Sequence, residues 1–130
     1  MSLALKPILL VFLGGGLGSV LRLMVFHVSR LFLPASFPWG TMIVNVAGGL
    51  AAGAIVAILV ARNGGGSDSV SLFLLTGVLG GFTTFSAFSL DAMLLWQRGA
   101  VTEAAAYVLG SVFLSIVGVA AGFAAVRALP

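Results

Sequence analysis

Four long apolar runs dominate the chain: Ile8 to His27, Thr41 to Ala61, Val70 to Trp96 and Ala104 to Val126. Each meets or exceeds the roughly 20 residues that a helix needs to cross the hydrocarbon core of a bilayer. The connections between them are Ser29–Gly40, with Pro34 and Pro38, Arg62–Ser69, reading RNGGGSDS, and Gln97–Glu103, reading QRGAVTE. All three carry breakers or charges, as loops in headgroups or water do. Only 7% of the 130 residues are charged and 61% are apolar, against roughly 25% charged in a soluble domain. The chain therefore reads as an all-α membrane protein, one transmembrane domain over residues 1–130 with four helices. The first run is not expected to be a cleaved leader: it holds Arg22 and lacks a small-x-small site followed by a soluble body.

Several function classes fall away on composition. The net charge is +3, but the six basic residues are scattered singly, whereas a nucleic-acid face needs them clustered against phosphates. Without cysteine there is no disulfide framework, thiol nucleophile or thiolate metal site, and the lone histidine, His27, offers little to a metal. No nucleophile, base and acid converge at a recognisable spacing, so the chain is not expected to be an enzyme. No Walker-type loop is present for ATP-driven transport.

Loop charges barely favour one orientation. Four spans put Lys6, Arg62 and Arg127 on one side and Arg30 and Arg98 on the other, three against two, with Arg22 inside the first run. A chain so weakly biased can insert either way, which makes an antiparallel, dual-topology pair of identical subunits possible; a fixed topology set by the small difference is the alternative. Glycines recur four apart in every run, at Gly14/Gly18, Gly49/Gly53, Gly77/Gly81 and Gly118/Gly122. Such pairs let helices approach closely in lipid, either inside the subunit or between subunits.

Polar groups inside the spans are the candidate functional residues, because hydrocarbon penalises them unless they face protein or water. Asn45 lies well inside the second run, either bonded to a neighbouring helix or facing a pathway. In the fourth, Tyr107, Ser111 and Ser115 share one face at i, i+4 and i+8. Arg22 lies about eight residues, roughly 12 Å of helix, before Arg30, from where its head either snorkels to the interface or lines a vestibule that attracts anions. Of the three acidic residues, Asp68 and Glu103 lie in or beside loops. Asp91 reads as an interfacial or helix-packing contact.

The third run contains GGFTTFSAFS, Gly80 to Ser89, an unusual composition for a lipid-facing helix. Two glycines each weaken a helix by roughly 1 kcal/mol relative to Ala, and β-branched Thr83 and Thr84 add to that. The spacing predicts a third helix broken near Gly80–Thr84, with Gly80 to Thr83 unwound. Unwound backbone at membrane depth is tolerated where protein or a water-filled cavity satisfies it, and there it offers carbonyls to cations or amides to anions. Phe85 and Phe88 then share a face of the resumed helix. Aromatic rings have positive edges, which can hold an anion weakly, although packing is the commoner use of such residues.

GGGLGSVLR in the first run, WGTMIVNVAGG in the second, GVLGGFTTFSAFS in the third and the Tyr107/Ser111/Ser115 face in the fourth together resemble the CrcB/Fluc fluoride channels. The resemblance covers essentially the whole chain. It implies a four-span protein of the bacterial plasma or inner membrane, assembled as an antiparallel dual-topology homodimer with two fluoride pathways and serving passive fluoride efflux. It implies that Asn45, Phe85 and Phe88 are pore residues, that Ser86 and Thr84 contribute hydroxyls, and that Tyr107, Ser111 and Ser115 form a polar track. Arg22 would stand in a vestibule, and a structural sodium ion at the dimer centre would be held by the carbonyls of Gly80 and Thr83. Ala87 departs from the pattern, in which Thr is frequent.

The chemistry is coherent. Fluoride is strongly hydrated, so a pathway must replace its water with an amide, hydroxyls and polarised ring edges. Neutral HF that enters a cell ionises in the cytoplasm, and the anion then needs a channel to leave. The alternative is a small dual-topology multidrug or cation exporter, weakened because such a transporter needs a coupling carboxylate deep in a span. A third reading is a noncatalytic membrane subunit of a larger complex, which predicts no ion flux from the protein alone.

Overall fold

The computed structural model describes residues 5–63 and 68–128. Among these residues every regular element is helical. Helix α1 spans Leu5–Phe32 and α2 spans Trp39–Asn63. The third span begins with a single turn, α3 at Asp68–Ser71, continues as a π-helix over Leu72–Leu79, and passes through α4, Gly80–Phe82, into α5, Phe85–Gln97. Helix α6 spans Val101–Arg127. Among the described residues, four stretches are long and apolar enough to cross a membrane: Leu5–Phe32, Trp39–Arg62, Ser69–Gln97 and Val101–Arg127.

The helix ends follow local chemistry. Ser29 and Arg30, read from the sequence as loop, belong to α1, where Ser29 Oγ donates to the Phe26 carbonyl at 3.0 Å. The helix stops at Phe32 because Pro34 has no N–H and its ring disfavours helical backbone at Leu33. Trp39 and Gly40 likewise belong to α2, which starts directly after Pro38 and uses that proline's carbonyl to accept the Met42 N–H at 3.3 Å. At the end of α5, Gly99 has a φ of +80°, the Ala100 N–H reaches the Leu95 carbonyl at 3.0 Å and the Gly99 N–H reaches that of Trp96 at 2.9 Å. This is a Schellman turn, and glycine is the residue that takes its left-handed position without a Cβ clash. In the second connection, residues 64–67 lie outside the described residues.

The glycine pairs decide the packing. Helix α1 lies against the π-helix and α4, and α2 lies against α6. A Cβ on Gly14 would stand 2.6 Å from the Phe73 carbonyl oxygen, and one on Gly77 would stand 2.9 Å from Gly14 Cα. Gly18 and Gly81 would collide with the carbonyls of Val78 and Gly15 in the same seam. In the other seam a Cβ on Gly49 would come within 2.7 Å of the Ser115 carbonyl oxygen and one on Gly118 within 3.1 Å of that of Val46. Gly53 and Gly122 meet the carbonyls of Val119 and Leu50. All eight glycines are thus used for backbone-to-backbone approach inside the subunit, the first of the two possibilities that the spacing left open.

The same seams explain where helix is kept and where it is lost. Gly80, Gly81 and Phe82 are helical, contrary to the expectation that the glycines unwind. Extended backbone is confined to Thr83 (φ −81°, ψ 162°) and Thr84 (φ −155°, ψ 120°). The glycines serve close approach to α1, and the β-branched pair, which suits extended backbone, takes the step. No local signal in LFLLTGVL marks it as π-helix.

Large apolar side chains cover the outside, with Phe12 74% exposed. Among the described residues, the buried apolar side chains are Val44, Ala57, Leu95, Ala104 and Tyr107. A soluble domain shows the reverse distribution, and lipid accounts for this one.

Candidate functional site

The extended step organises the polar residues of the span interior. On its N-terminal side, Thr83 N–H and Oγ1 both donate to the Leu79 carbonyl, at 2.9 and 2.8 Å, closing α4. On its C-terminal side, Thr84 is the N-cap of α5: its Oγ1 accepts the Ala87 N–H at 3.2 Å and lies 3.3 Å from Ser86 Oγ. A capping threonine here satisfies one of the first N–H groups of the helix, which lipid would leave unpaired.

Asn45, from α2, meets the step directly. Its Nδ2 donates to the Thr84 carbonyl at 3.0 Å and its Oδ1 accepts the Thr84 N–H at 2.8 Å. The guanidinium of Arg22 donates to the neighbouring Thr83 carbonyl at 3.4 Å. Arg22 therefore reaches the step from α1.

Beyond the step, aromatic rings form a continuous line. Phe85 is 78% exposed and its ring centroid lies 5.5 Å from that of Phe88. Phe88 lies 5.3 Å from Tyr107, and Tyr107 meets Phe37 edge-on at 5.6 Å and 88°. Tyr107 is fully buried, and its hydroxyl donates to Asp91 Oδ2 at 3.3 Å. Thr41 Oγ1 donates to the same oxygen at 2.6 Å. Asp91 thus ties α5 to α2 and α6, the helix-packing role expected of it. Ser111, one turn on from Tyr107, is buried with its Oγ lacking a hydrogen-bond partner. Ser115, a further turn on, is partly buried against Gly49 through its carbonyl.

A cavity of about 450 Å³ opens beside this line, with Arg30, Trp39, Thr41, Ala87, Asp91 and Arg98 among its lining residues. The Arg98 guanidinium donates to the Ser36 carbonyl, joining the two connections at that end of the molecule. Trp39 Nε1 is buried without a partner. Two guanidinium groups and an unpartnered indole N–H outnumber the single carboxylate, which already takes the Thr41 proton, a donor-rich lining suited to an anion.

Thr41 is the residue that sequence reading missed. A usable signal existed: it stands four before Asn45, on the same helical face. Gly80 is exposed, and Ser86 is exposed at the start of α5.

The sequence model of the family described as CrcB-like protein, Camphor Resistance (CrcB), matches residues 9–123, which include every residue of the step, the aromatic line and the Thr41–Asp91 pair. The chain belongs to the CrcB family. Over 121 residues it is 56% identical to the fluoride-specific ion channel FluC of Rhodopseudomonas palustris (strain BisB5), covering 93% of this chain and 97% of that protein. It is 55% identical over 119 residues to the protein of the same name from Methylobacterium sp. (strain 4-46), covering 92% and 94%. It is 46% identical over 123 residues to that from Mesorhizobium japonicum (strain LMG 29417 / CECT 9101 / MAFF 303099), covering 95% and 98%. With four apolar membrane-length helices, this CrcB chain is a multi-pass membrane protein.

Proposed function

We propose that this CrcB protein is a fluoride-selective channel through which cytoplasmic fluoride leaves passively. The observation that carries the reading is the line of rings from exposed Phe85 through Phe88 to Tyr107, ending on the hydroxyl and carboxylate of Thr41 and Asp91. The relatives named fluoride-specific ion channel support the choice of ion.

The chain's own groups suit a small anion. Asn45 Nδ2 has two protons and donates one to Thr84, which leaves one for an ion. Ring edges of Phe85 and Phe88 offer weak positive potential without a full charge that would trap the anion. The unpartnered hydroxyl of Ser111 and those of Ser86, Thr84 and Ser115 supply further donors, each replacing part of a hydration shell, while Tyr107, whose proton goes to Asp91, lines the track with its ring. Arg22 contributes positive potential at the step.

The working unit is an antiparallel, dual-topology homodimer. Exposed Phe85, Ser86 and Gly80 lie in the middle of a span, where polar groups and unsealed backbone need a protein neighbour. The near balance of loop cations permits the inverted insertion this requires. A structural sodium ion belongs at the centre, held by the carbonyls of Gly80 and Thr83 from each copy. The fit is one of donor type: a hard cation takes oxygen ligands, and the Thr84 N–H, which would cap the Gly80 carbonyl in a continuous helix, goes instead to Asn45. Thr83 offers its carbonyl to Arg22, so that oxygen is shared. When bound, the ion would supply positive charge and a tie between copies. The exporter reading needs Asp91 to couple protons to drug movement and draws no support from relatives named as ion channels.

The deciding experiment is fluoride efflux from proteoliposomes holding purified wild-type protein. Selective fluoride flux is expected; its absence, or proton-coupled drug transport in its place, refutes the reading.

A further inference from the structure

In a continuous α-helix the N–H of Thr84 would donate to the carbonyl of Gly80, four residues earlier. Here it donates to Asn45 Oδ1 at 2.8 Å, and the Thr84 carbonyl accepts Asn45 Nδ2 at 3.0 Å. One side chain from α2 occupies both backbone groups of one residue, 39 positions away, as a neighbouring strand would.

We propose that Asn45 is a positioning residue that holds the Thr83–Thr84 step extended, thereby fixing where α5 begins and leaving the Gly80 carbonyl without its helical partner. The two flanking caps cannot do this alone. The Thr83 contacts to Leu79 close α4, and the Thr84 hydroxyl capping Ala87 opens α5, but neither touches the Thr84 N–H or C=O. At membrane depth a peptide group without a partner is costly enough to rearrange the backbone. Without Asn45, the Thr84 N–H is left to its helical acceptor, the Gly80 carbonyl four residues earlier, and taking it turns Thr84 helical and rotates Phe85 off its present face.

The residue type follows from the task. A carboxamide places a donor and an acceptor on one planar group, matching the C=O and N–H of a peptide. Serine is too short to present both, and leucine has the shape but neither function. Aspartate keeps the acceptor for the Thr84 N–H and loses the donor.

The proposal does not depend on which ion crosses, and its test uses no flux. Full-length protein in lipid nanodiscs, labelled with ¹⁵N and ¹³C, is examined by NMR as wild type, Asn45→Leu and Asn45→Asp. In wild type, the Thr84 amide and the Asn45 carboxamide exchange with solvent at least about tenfold more slowly than open groups, the protection expected of one net hydrogen bond. The Thr84 carbon shifts are those of extended backbone. In Asn45→Leu they move to helical values, and Asn45→Asp restores the extended ones. Unprotected exchange at both groups in wild type overturns the proposal, and that measurement decides the matter if Asn45→Leu does not fold. Extended shifts persisting in a folded Asn45→Leu overturn it equally.

Discussion

Thr41 Oγ1 donates to Asp91 Oδ2 across 2.6 Å, joining the first turn of α2 to the middle of α5 beside the cavity. A short hydrogen bond accepted by a carboxyl oxygen is worth up to about 1.5–3 kcal/mol net. Thr41→Val keeps the side-chain shape and removes the donor, leaving Asp91 with the longer Tyr107 contact. Unfolding in mixed micelles should show a loss of about 1.5–3 kcal/mol. A double-mutant cycle with Asp91→Asn should return a coupling of the same order; additive effects would mean that the pair does not act as a unit.

The glycine seams make opposite predictions for chemically identical changes. Gly53→Ala drives a methyl into the Val119 carbonyl, and Gly122→Ala drives one into that of Leu50, with backbone on both sides and no flexible side chain to yield. Each should cost about 1–3 kcal/mol through forced separation of α2 and α6. Gly16, on the same helix as the Gly14/Gly18 pair, has nothing within 4 Å of a new Cβ. Gly16→Ala should be neutral or stabilise by up to about 1 kcal/mol through helix propensity. Thermal unfolding of the three variants checks both signs at once.

What the sequence conveyed tracks how local the cause is. The spans were legible because run length alone sets them, and the stop of α1 ahead of Pro34 is a property of one residue. The stretch Gly80–Thr84 was expected to unwind chiefly at its glycines, yet Gly80 to Phe82 are helical and only Thr83 and Thr84 are extended. Gly81 remains helical because its missing side chain admits the Gly15 carbonyl, a contact 66 positions distant that leaves no local trace. The same holds for Asn45: an amide in a span announces that it needs a partner, but nothing nearby in sequence names Thr84. The π-helix over Leu72–Leu79 has no compositional signal at all. Tyr107, Ser111 and Ser115 were placed on one face by spacing, while the Asp91 partner of Tyr107 needed the packing of α5 on α6.

Ala87 takes part in the cap of α5 through its backbone alone. Its backbone N–H, not its side chain, donates to Thr84 Oγ1. Ala87→Thr places its added atoms toward the cavity and should cost less than about 1 kcal/mol, the size of the helix-propensity difference between the two residues. Because the side chain lines the cavity near Thr41 and Asp91, the added hydroxyl should leave fluoride efflux equal or faster. Proteoliposome efflux with a fluoride electrode measures this, and a marked slowing would show that the cavity needs the smaller residue.

Phe88 carries the sharpest prediction for conduction, because it is the ring that joins exposed Phe85 to buried Tyr107. Phe88→Ile keeps apolar bulk and helix packing but removes both the ring edge and the stacking on Tyr107. Loss of its two aromatic pairs costs about 1–3 kcal/mol in stability, so the unfolding of each variant is measured beside its flux. A pathway that depends on polarised ring edges should lose at least about tenfold in flux, equivalent to about 1.4 kcal/mol in the barrier. Phe88→Met supplies the contrast: it fills the space with a flexible, polarisable chain that has no aromatic edge. If Phe88→Met conducts as wild type does while Phe88→Ile is slow, space filling rather than ring polarity governs the pathway. If both are slow and equally stable by unfolding, the ring edge itself is required.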